Sequence, residues 1–210
     1  MRIACTSDWH GYIPPEVPDC DIMLVAGDIG LGEKFSYEPE VLMVDWCNWL
    51  KSLDCHVVAV AGNHDFYPEL LRAMPWTYLE DELAEVEGLK IWGTPWSNPF
   101  GYGWAFNMTE EDQVENLKQI PDDIDIIISH GPPYGFRDIV SHGGDRTQWQ
   151  DPHVGSKALV KRMNELENLK LVACGHIHPM YGMSGKVVNG SLVNNQYNVA
   201  NKPIVIESSR

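Results

Sequence analysis

Ile22-Met23-Leu24-Val25-Ala26-Gly27-Asp28 is the stretch on which the fold of this chain turns. An apolar run without a polar interruption belongs to a strand covered on both faces. The glycine then lets the backbone turn sharply, and a carboxylate stands at the strand end. Ile126-Ile127-Ile128 repeats the arrangement ahead of Ser129-His130-Gly131. Working outward, β-type runs are predicted at 2–6, 21–26, 56–61, 90–92, 124–129, 170–174, 186–188 and 203–207. Helical spacing lies between them. Leu42, Trp46, Trp49, Leu50 and Leu53 recur over 39–53, and Leu159, Val160, Met163 and Leu166 form one stripe over 156–167. Thr109-Glu110-Glu111-Asp112 opens a third helix with a capping-box-like pattern. Strands alternating with helices indicate an α/β layered fold. From Gly182 the helices stop. Hairpins are predicted there, with a turn at Val188-Asn189-Gly190-Ser191 and a second, more antiparallel sheet.

The 210 residues suit one domain spanning 1–210. With 30 acidic against 15 basic residues, the net charge of −15 disfavours an extended nucleic-acid surface or an anionic membrane. A small phosphate ester stays open, because bound cations reverse the sign locally. The segment Met1–Asp8 has no long apolar core, and no run approaches the ~18 residues of a membrane span. The five cysteines are scattered without C-x-x-C spacing, which reads as reduced thiols in a cytoplasmic protein.

Five polar clusters each follow an apolar run: Asp8-Trp9-His10, Gly27-Asp28, Gly62-Asn63-His64-Asp65, Ser129-His130-Gly131 and Gly175-His176-Ile177-His178. Ligands of open α/β sheets collect at the carboxyl ends of strands, so these side chains are expected to converge there. Asp8 and His10, two apart, point the same way in an extended segment, while Trp9 packs away from them. Carboxylate, amide and imidazole donors together suit manganese, iron, zinc, nickel or cobalt better than calcium. Two divalent cations, offset by Asp8, Asp28 and a bridging hydroxide, leave about one net positive charge to attract a phosphoryl group. His64 is placed to protonate a leaving oxygen, and Asp65 either orients that imidazole or caps a turn.

The ordered set D-x-H, G-D, G-N-H-D, S-H-G and G-H-x-H resembles the calcineurin-like metallophosphoesterases over essentially the whole chain. Gly93-Thr94-Pro95-Trp96, Gly103-Trp104-Ala105-Phe106-Asn107 and the stretch from Ser129 to Asp138 are similar to the metallophosphoesterase-domain-containing branch. The resemblance implies a four-layer αββα sandwich of two mixed β-sheets flanked by helices. It implies one metal on Asp8, His10, Asp28 and His178 and a second on Asp28, Asn63, His130 and His176, with Asp28 bridging. His64 is then the leaving-group acid, with Asp65 beside it, and manganese is the first candidate metal. The departure from G-D-x-x-D-R-G and G-N-H-E counts against a protein phosphatase.

The expected activity is a metal-dependent phosphodiesterase on small, including cyclic, nucleotides, a substrate class implied by the branch. The alternatives are a phosphomonoesterase on a small phosphorylated metabolite and a non-catalytic metal-binding scaffold. A homo-oligomer is left open. Asn63, His64 and Arg137 are candidate substrate contacts. Arg137 either holds a phosphate oxygen or pairs with Asp138 or Asp145. Trp92, Trp96, Phe100, Tyr102, Trp104 and Phe106 read as core in preference to a base-stacking platform, and His56, His142 and His153 as structural or solvent-facing.

Overall fold

Parallel strands β1 (Arg2–Thr6), β2 (Ile22–Ala26) and β3 (His56–Val60) sit at the centre of the first sheet. The computed structural model of the protein describes residues 1–30, 39–140 and 152–208, with the backbone alone at 39–43. Helix α1 (Pro39–Lys51) joins β2 to β3, and α2 (Pro68–Arg72) leads from β3 to the short β4 (Thr77–Tyr78). Strands β5 (Glu82–Val86), β6 (Leu89–Thr94), β7 (Ile126–Ser129), β8 (Leu171–Cys174), β9 (Gly182–Ser184) and β10 (Val187–Asn189) make the second sheet. Helices α3 (Glu110–Leu117) and α4 (Lys157–Glu165) connect its parallel strands, and β11 (Ile204–Glu207) returns to the first sheet. The strand orders are β11-β1-β2-β3-β4 and β5-β6-β7-β8-β10-β9.

Alternation along each strand builds the layers. Ile3, Leu24, Val58 and Val60 meet Ile91, Ile126, Ile128, Leu171 and Val188 between the sheets. Ala4, Met23, Val25 and Ala59 point outward onto Trp46, Leu50 and Leu71 of α1 and α2. Ile127 and Val172 point outward onto Leu117, Leu159 and Met163 of α3 and α4. The chain therefore has the expected α/β architecture, two mixed sheets face to face with helices outside. Its central strands are apolar throughout because both faces are covered. Thr109 caps α3 by accepting from the Asp112 N–H (3.2 Å), and Glu110 in turn accepts from the Lys157 N–H (2.8 Å) at the start of α4.

The expectation for the C-terminal third needs correction. β9 and β10 do form a hairpin, but β10 runs parallel to β8 and β11 pairs with β1 in the other sheet. Residues 188–191 are no hairpin turn. A Cβ on Gly190 would meet the Thr6 Cα at 2.7 Å, so only glycine lets β10 run out against β1. There Ser7 N–H donates to the Gly190 carbonyl (2.9 Å) and Leu192 N–H to the Ser7 carbonyl (2.8 Å), stitching one sheet to the other. β4 and β5 escaped the pattern reading because β4 has only two residues and β5, an edge strand, is largely exposed. The side chain of Leu42, and His142 and Asp145, lie outside the described residues. No described helix is long and apolar enough to cross a membrane.

Trp9 is fully buried, donates from Nε1 to the Thr6 hydroxyl (3.0 Å) and meets Trp49 edge to face at 5.4 Å. It anchors the Asp8–His10 loop to the helical layer. Trp9→Ala is expected to cost about 3–5 kcal/mol, measured as a lowered urea midpoint. A loss under about 1 kcal/mol, the scale of a substitution away from the core, would show that the ring is not a structural anchor.

Candidate metal centre

Five strand ends deliver the polar clusters to the seam between the sheets. The first sheet supplies Asp8 and His10 after β1, Asp28 after β2 and Asn63 and His64 after β3; the second supplies His130 after β7 and His176 and His178 after β8. Asp8, His10 and His178 bring ligand atoms within 4.8 Å of one another, and so do Asp28, His130 and His176. Asn63 joins the second group, its Oδ1 lying 2.8 Å from His130 Nε2 and 2.7 Å from His176 Nδ1. Asp28 Oδ2 is 3.4 Å from His130 Nε2 and 3.9 Å from His10 Nε2, so its carboxylate stands between the groups.

The loops reach this arrangement by left-handed turns, not by extended alternation. Asp8 (φ 51°), His10 (φ 43°), Asp28 (φ 53°) and His176 (φ 68°) are all at positive φ, as is Gly27 (φ 86°) before Asp28. Such backbone is sparsely populated by non-glycine residues and concentrates at functional sites. Parallel pairing continues past the strands to hold it: Asp8 N–H donates to the Gly27 carbonyl (2.9 Å) and His10 N–H to the Asp28 carbonyl (3.0 Å). The Ser7 and Ser191 hydroxyls donate to Asp8 Oδ2, both at 2.6 Å, and the His176 N–H donates to the same carboxylate.

The donor set fits divalent cations. His130 donates Nδ1–H to the Ala26 carbonyl (2.9 Å), so a neutral ring turns a bare Nε2 toward the Asn63 oxygen. His178 likewise donates Nδ1–H to the Asn194 carbonyl (3.2 Å), leaving its Nε2 to face His10 Nε2 at 3.2 Å. Between His178 and His10 a hydrogen on His10 Nε2 also serves. The His130 Nε2 and the Asn63 oxygen are two acceptors facing each other, which needs something positive between them. Without a cation, a proton takes that place. Burial presses the His130 pKa down, but Asp28 and Asp8 push it up to about 9. Burial lowers His10 to about 4, and burial with repulsion from His130 lowers His176 to about 3. Burial also works against the charge on Asp8 and Asp28, yet the surrounding imidazoles hold both carboxyls below the usual range.

Asp65 does not orient His64. Its carboxylate accepts from the N–H groups of Ile29 (3.1 Å), Gly30 (2.8 Å) and Gly62 (2.8 Å), pinning the Asp28 loop to the Asn63 loop. His64 Nδ1 is buried with no partner among the described residues. His64 donates its backbone N–H to Asp28 Oδ1 (2.7 Å), and its pKa is lowered by burial. His10, Asp28 and His64 form a third close group, so distance alone does not separate His64 from the ligands. Burial does not separate them either: His64 and His176 are both partly exposed, and both line the cleft with Asp28, Asn63 and His178.

Arg137 is also placed differently from expectation. Its Nη2 donates to the Met183 carbonyl, its guanidinium packs over Gly182, and it does not line the cleft. Asp138 pairs with His153 (2.6 Å). Trp92 is core, as expected, whereas Phe100 and Tyr102 are exposed and Phe100 and Trp104 line the cleft. Ser7, Ser191, Asn194 and Tyr197 were missed. Tyr197, at a positive φ of 58°, sets its ring edge-on to His10 (4.7 Å) and His178 (5.2 Å). Its only signal is the Asn194-Asn195-Gln196 turn before it.

Comparison with known proteins agrees with this geometry. The model of the calcineurin-like phosphoesterase family matches residues 1–180. The chain is 31% identical to human metallophosphoesterase domain-containing protein 1, over 98% of its own length and 70% of that protein. It is 25% identical to a UPF0046 protein of Caenorhabditis elegans, over 99% of this chain and 80% of the other. A Thermus thermophilus protein of known crystal structure shares the fold at a TM-score of 0.58 and 15% identity, covering 90% of this chain and 88% of that one. The chain belongs to the calcineurin-like phosphoesterase family. Family and candidate ligands together make it a metal-dependent phosphoesterase.

Two outcomes test the site. Asp65→Ala strips three backbone N–H groups of a charged acceptor and should cost about 3 kcal/mol or more in thermal or urea unfolding. His64→Ala should change stability far less; equal losses would return Asp65 to a role through His64. The second concerns pH. His130 in the metal-free fold titrates near 9, above its unfolded value of about 6.5. The stability it contributes is fully present below about 6.5 and is lost as pH rises through about 9. Melting temperature in a chelator should fall over that window, and saturating Mn²⁺ should abolish the fall.

Proposed function

We propose that the protein hydrolyses small phosphodiesters, with small and cyclic nucleotides as the substrate class. Asp8, His10, Asp28 and His178 would hold one divalent ion and Asp28, Asn63, His130 and His176 the other, manganese being the first candidate. Ions so held polarise the phosphoryl group, acidify water and stabilise the charge that builds on phosphorus oxygens. The observation that carries the diester reading is the wall of the cleft. Phe100, Trp104, Val140, Ile177, Pro179 and Tyr197 line it beside the ligands, and no lysine or arginine does among the described residues. A monoester dianion calls for such cations. A diester carries one charge and two organic groups, which suits uncharged walls and a positive floor.

His64 supplies the proton. Burial keeps its imidazole neutral in the free site, and an anionic phosphoryl group beside it offsets that burial and holds a proton on the ring. As the oxygen of a water bonds to phosphorus and the P–O bond to the leaving group breaks, the proton passes from His64 to the leaving ester oxygen. Asp65 acts earlier, by fixing the distance between the Asp28 and Asn63 loops. Tyr197 and Trp104 flank the His64 ring at 6.1 and 4.6 Å and set its apolar surroundings.

After Mn²⁺ loading, a nucleoside cyclic phosphate or a simple diester should be turned over faster than the matching monoester. The reverse order would favour the phosphomonoesterase alternative. Asp28→Ala should lose more than about 100-fold, beyond what an outer partner of a ligand contributes. His64→Ala should lower kcat on an alkyl diester by about 10²–10⁴ while bound manganese is retained. Full-speed turnover by that variant would remove His64 from the acid role.

A further inference from the structure

Three aromatic rings, Phe66, Trp104 and Phe100, stack in series, and the last two line the cleft without serving as a stacking surface in the chemistry proposed for His64 and the ligands. Phe66 and Trp104 lie 6.5 Å apart at 24°, and Trp104 and Phe100 lie 5.7 Å apart at 23°. The local chain explains the stack. Gly101 and Gly103, at left-handed φ of 97° and 80°, curl the loop until Phe100 lies on Trp104. Ala105 N–H donates to the Asn63 carbonyl (3.1 Å), which ties this loop to the segment carrying Asn63 and His64. Trp104 reaches the His64 ring at 4.6 Å and Phe100 reaches the His176 ring at 4.8 Å. The series therefore has a fixed back and a fixed distance from the candidate ligands. Its last member is open: Phe100 is 41% exposed and lines the cleft.

A large apolar ring held at the surface by a half-buried indole, itself backed by a second ring, is a pre-organised stacking platform, because its order is already imposed before any ligand arrives. The cleft holds about 320 Å³, within the range of small-molecule sites. Asn195 adds a side-chain amide on its rim, able to donate to and accept from the edge of a heterocycle.

We propose that the Phe100–Trp104 ledge is a binding subsite for a planar aromatic ring, specifically the nucleobase of an ester whose phosphoryl group sits at the metal centre. The subsite deepens the phosphodiesterase reading and rests on it for the place of the phosphate. Stacking of one base is worth on the order of 1–3 kcal/mol by alanine substitution, so a tenfold effect, about 1.4 kcal/mol, is the expected scale.

The test is calorimetric titration of the manganese-loaded protein with product-like monoesters, which needs no turnover. AMP should bind about tenfold more tightly than ribose 5-phosphate, in keeping with one stacked base. Phe100→Ala should reduce that ratio to below about threefold, and Phe100→Tyr, which keeps the ring face, should preserve it. A wild-type ratio near one, or a ratio that Phe100→Ala leaves unchanged, overturns the ledge. Phenyl phosphate against ethyl phosphate separates the two sources of an aromatic ring: a gain there without one for AMP overturns the nucleobase assignment. Diester turnover with a ratio near one sinks the ledge and spares the phosphodiesterase reading. An intact ratio without diester turnover does the opposite.

Discussion

Two carboxylates out of reach of water, Asp8 and Asp28, set the terms for the whole carboxyl end of the molecule. A charge that loses its hydration costs several kcal/mol unless hydrogen bonds and opposite charge replace it. Asp8 gains two serine hydroxyls and the His176 N–H, and Asp28 gains the His64 N–H. Neutral donors alone leave the field of two negative charges uncompensated. That field is what raises His130 in the metal-free fold and what makes the same pocket a trap for divalent cations. An acidic chain can in this way present a positive floor to a phosphate.

Holding that pocket requires both sheets. The carboxylates and the asparagine come from the first sheet, and His130, His176 and His178 from the second. The seam between sheets is closed at the same end by the Ser7–Ser191 contact, so a cation there would also clamp the two halves together. Left-handed backbone at four of the candidate ligands is the strain this convergence costs. Trp9 offsets it from one side and the Asp65 carboxylate from the other. The stability of the layers and the chemistry of the site thus meet in the same few loops.

Much of this was legible in the residues. Apolar runs in β1, β2, β3, β7 and β8 could be read because burial on both faces leaves an uninterrupted signature. The site was legible because each donor follows such a run directly. Short or edge elements such as β4 and β5 carry no comparable signature. Side-chain roles failed where neighbours in sequence part company in space. Asp65 sits next to His64 in the chain, yet its oxygens serve Ile29, Gly30 and Gly62. Arg137 follows His130 closely and still turns to the Met183 carbonyl. Phe100 looked like core because composition does not say which face of a ring stays open.

By itself the sequence determined the layered α/β class, the strand ends and the identity of the donors, because hydrophobic periodicity and residue chemistry are local properties. Only the tertiary structure decided which donors share a group, which carboxylate stands between the groups and which residues hold them there. Those relations depend on contacts between segments as distant as Ser7 and Ser191 or Asn63 and His176. No local pattern encodes such pairs; they are set when two sheets pack and their loops are forced into the same small volume.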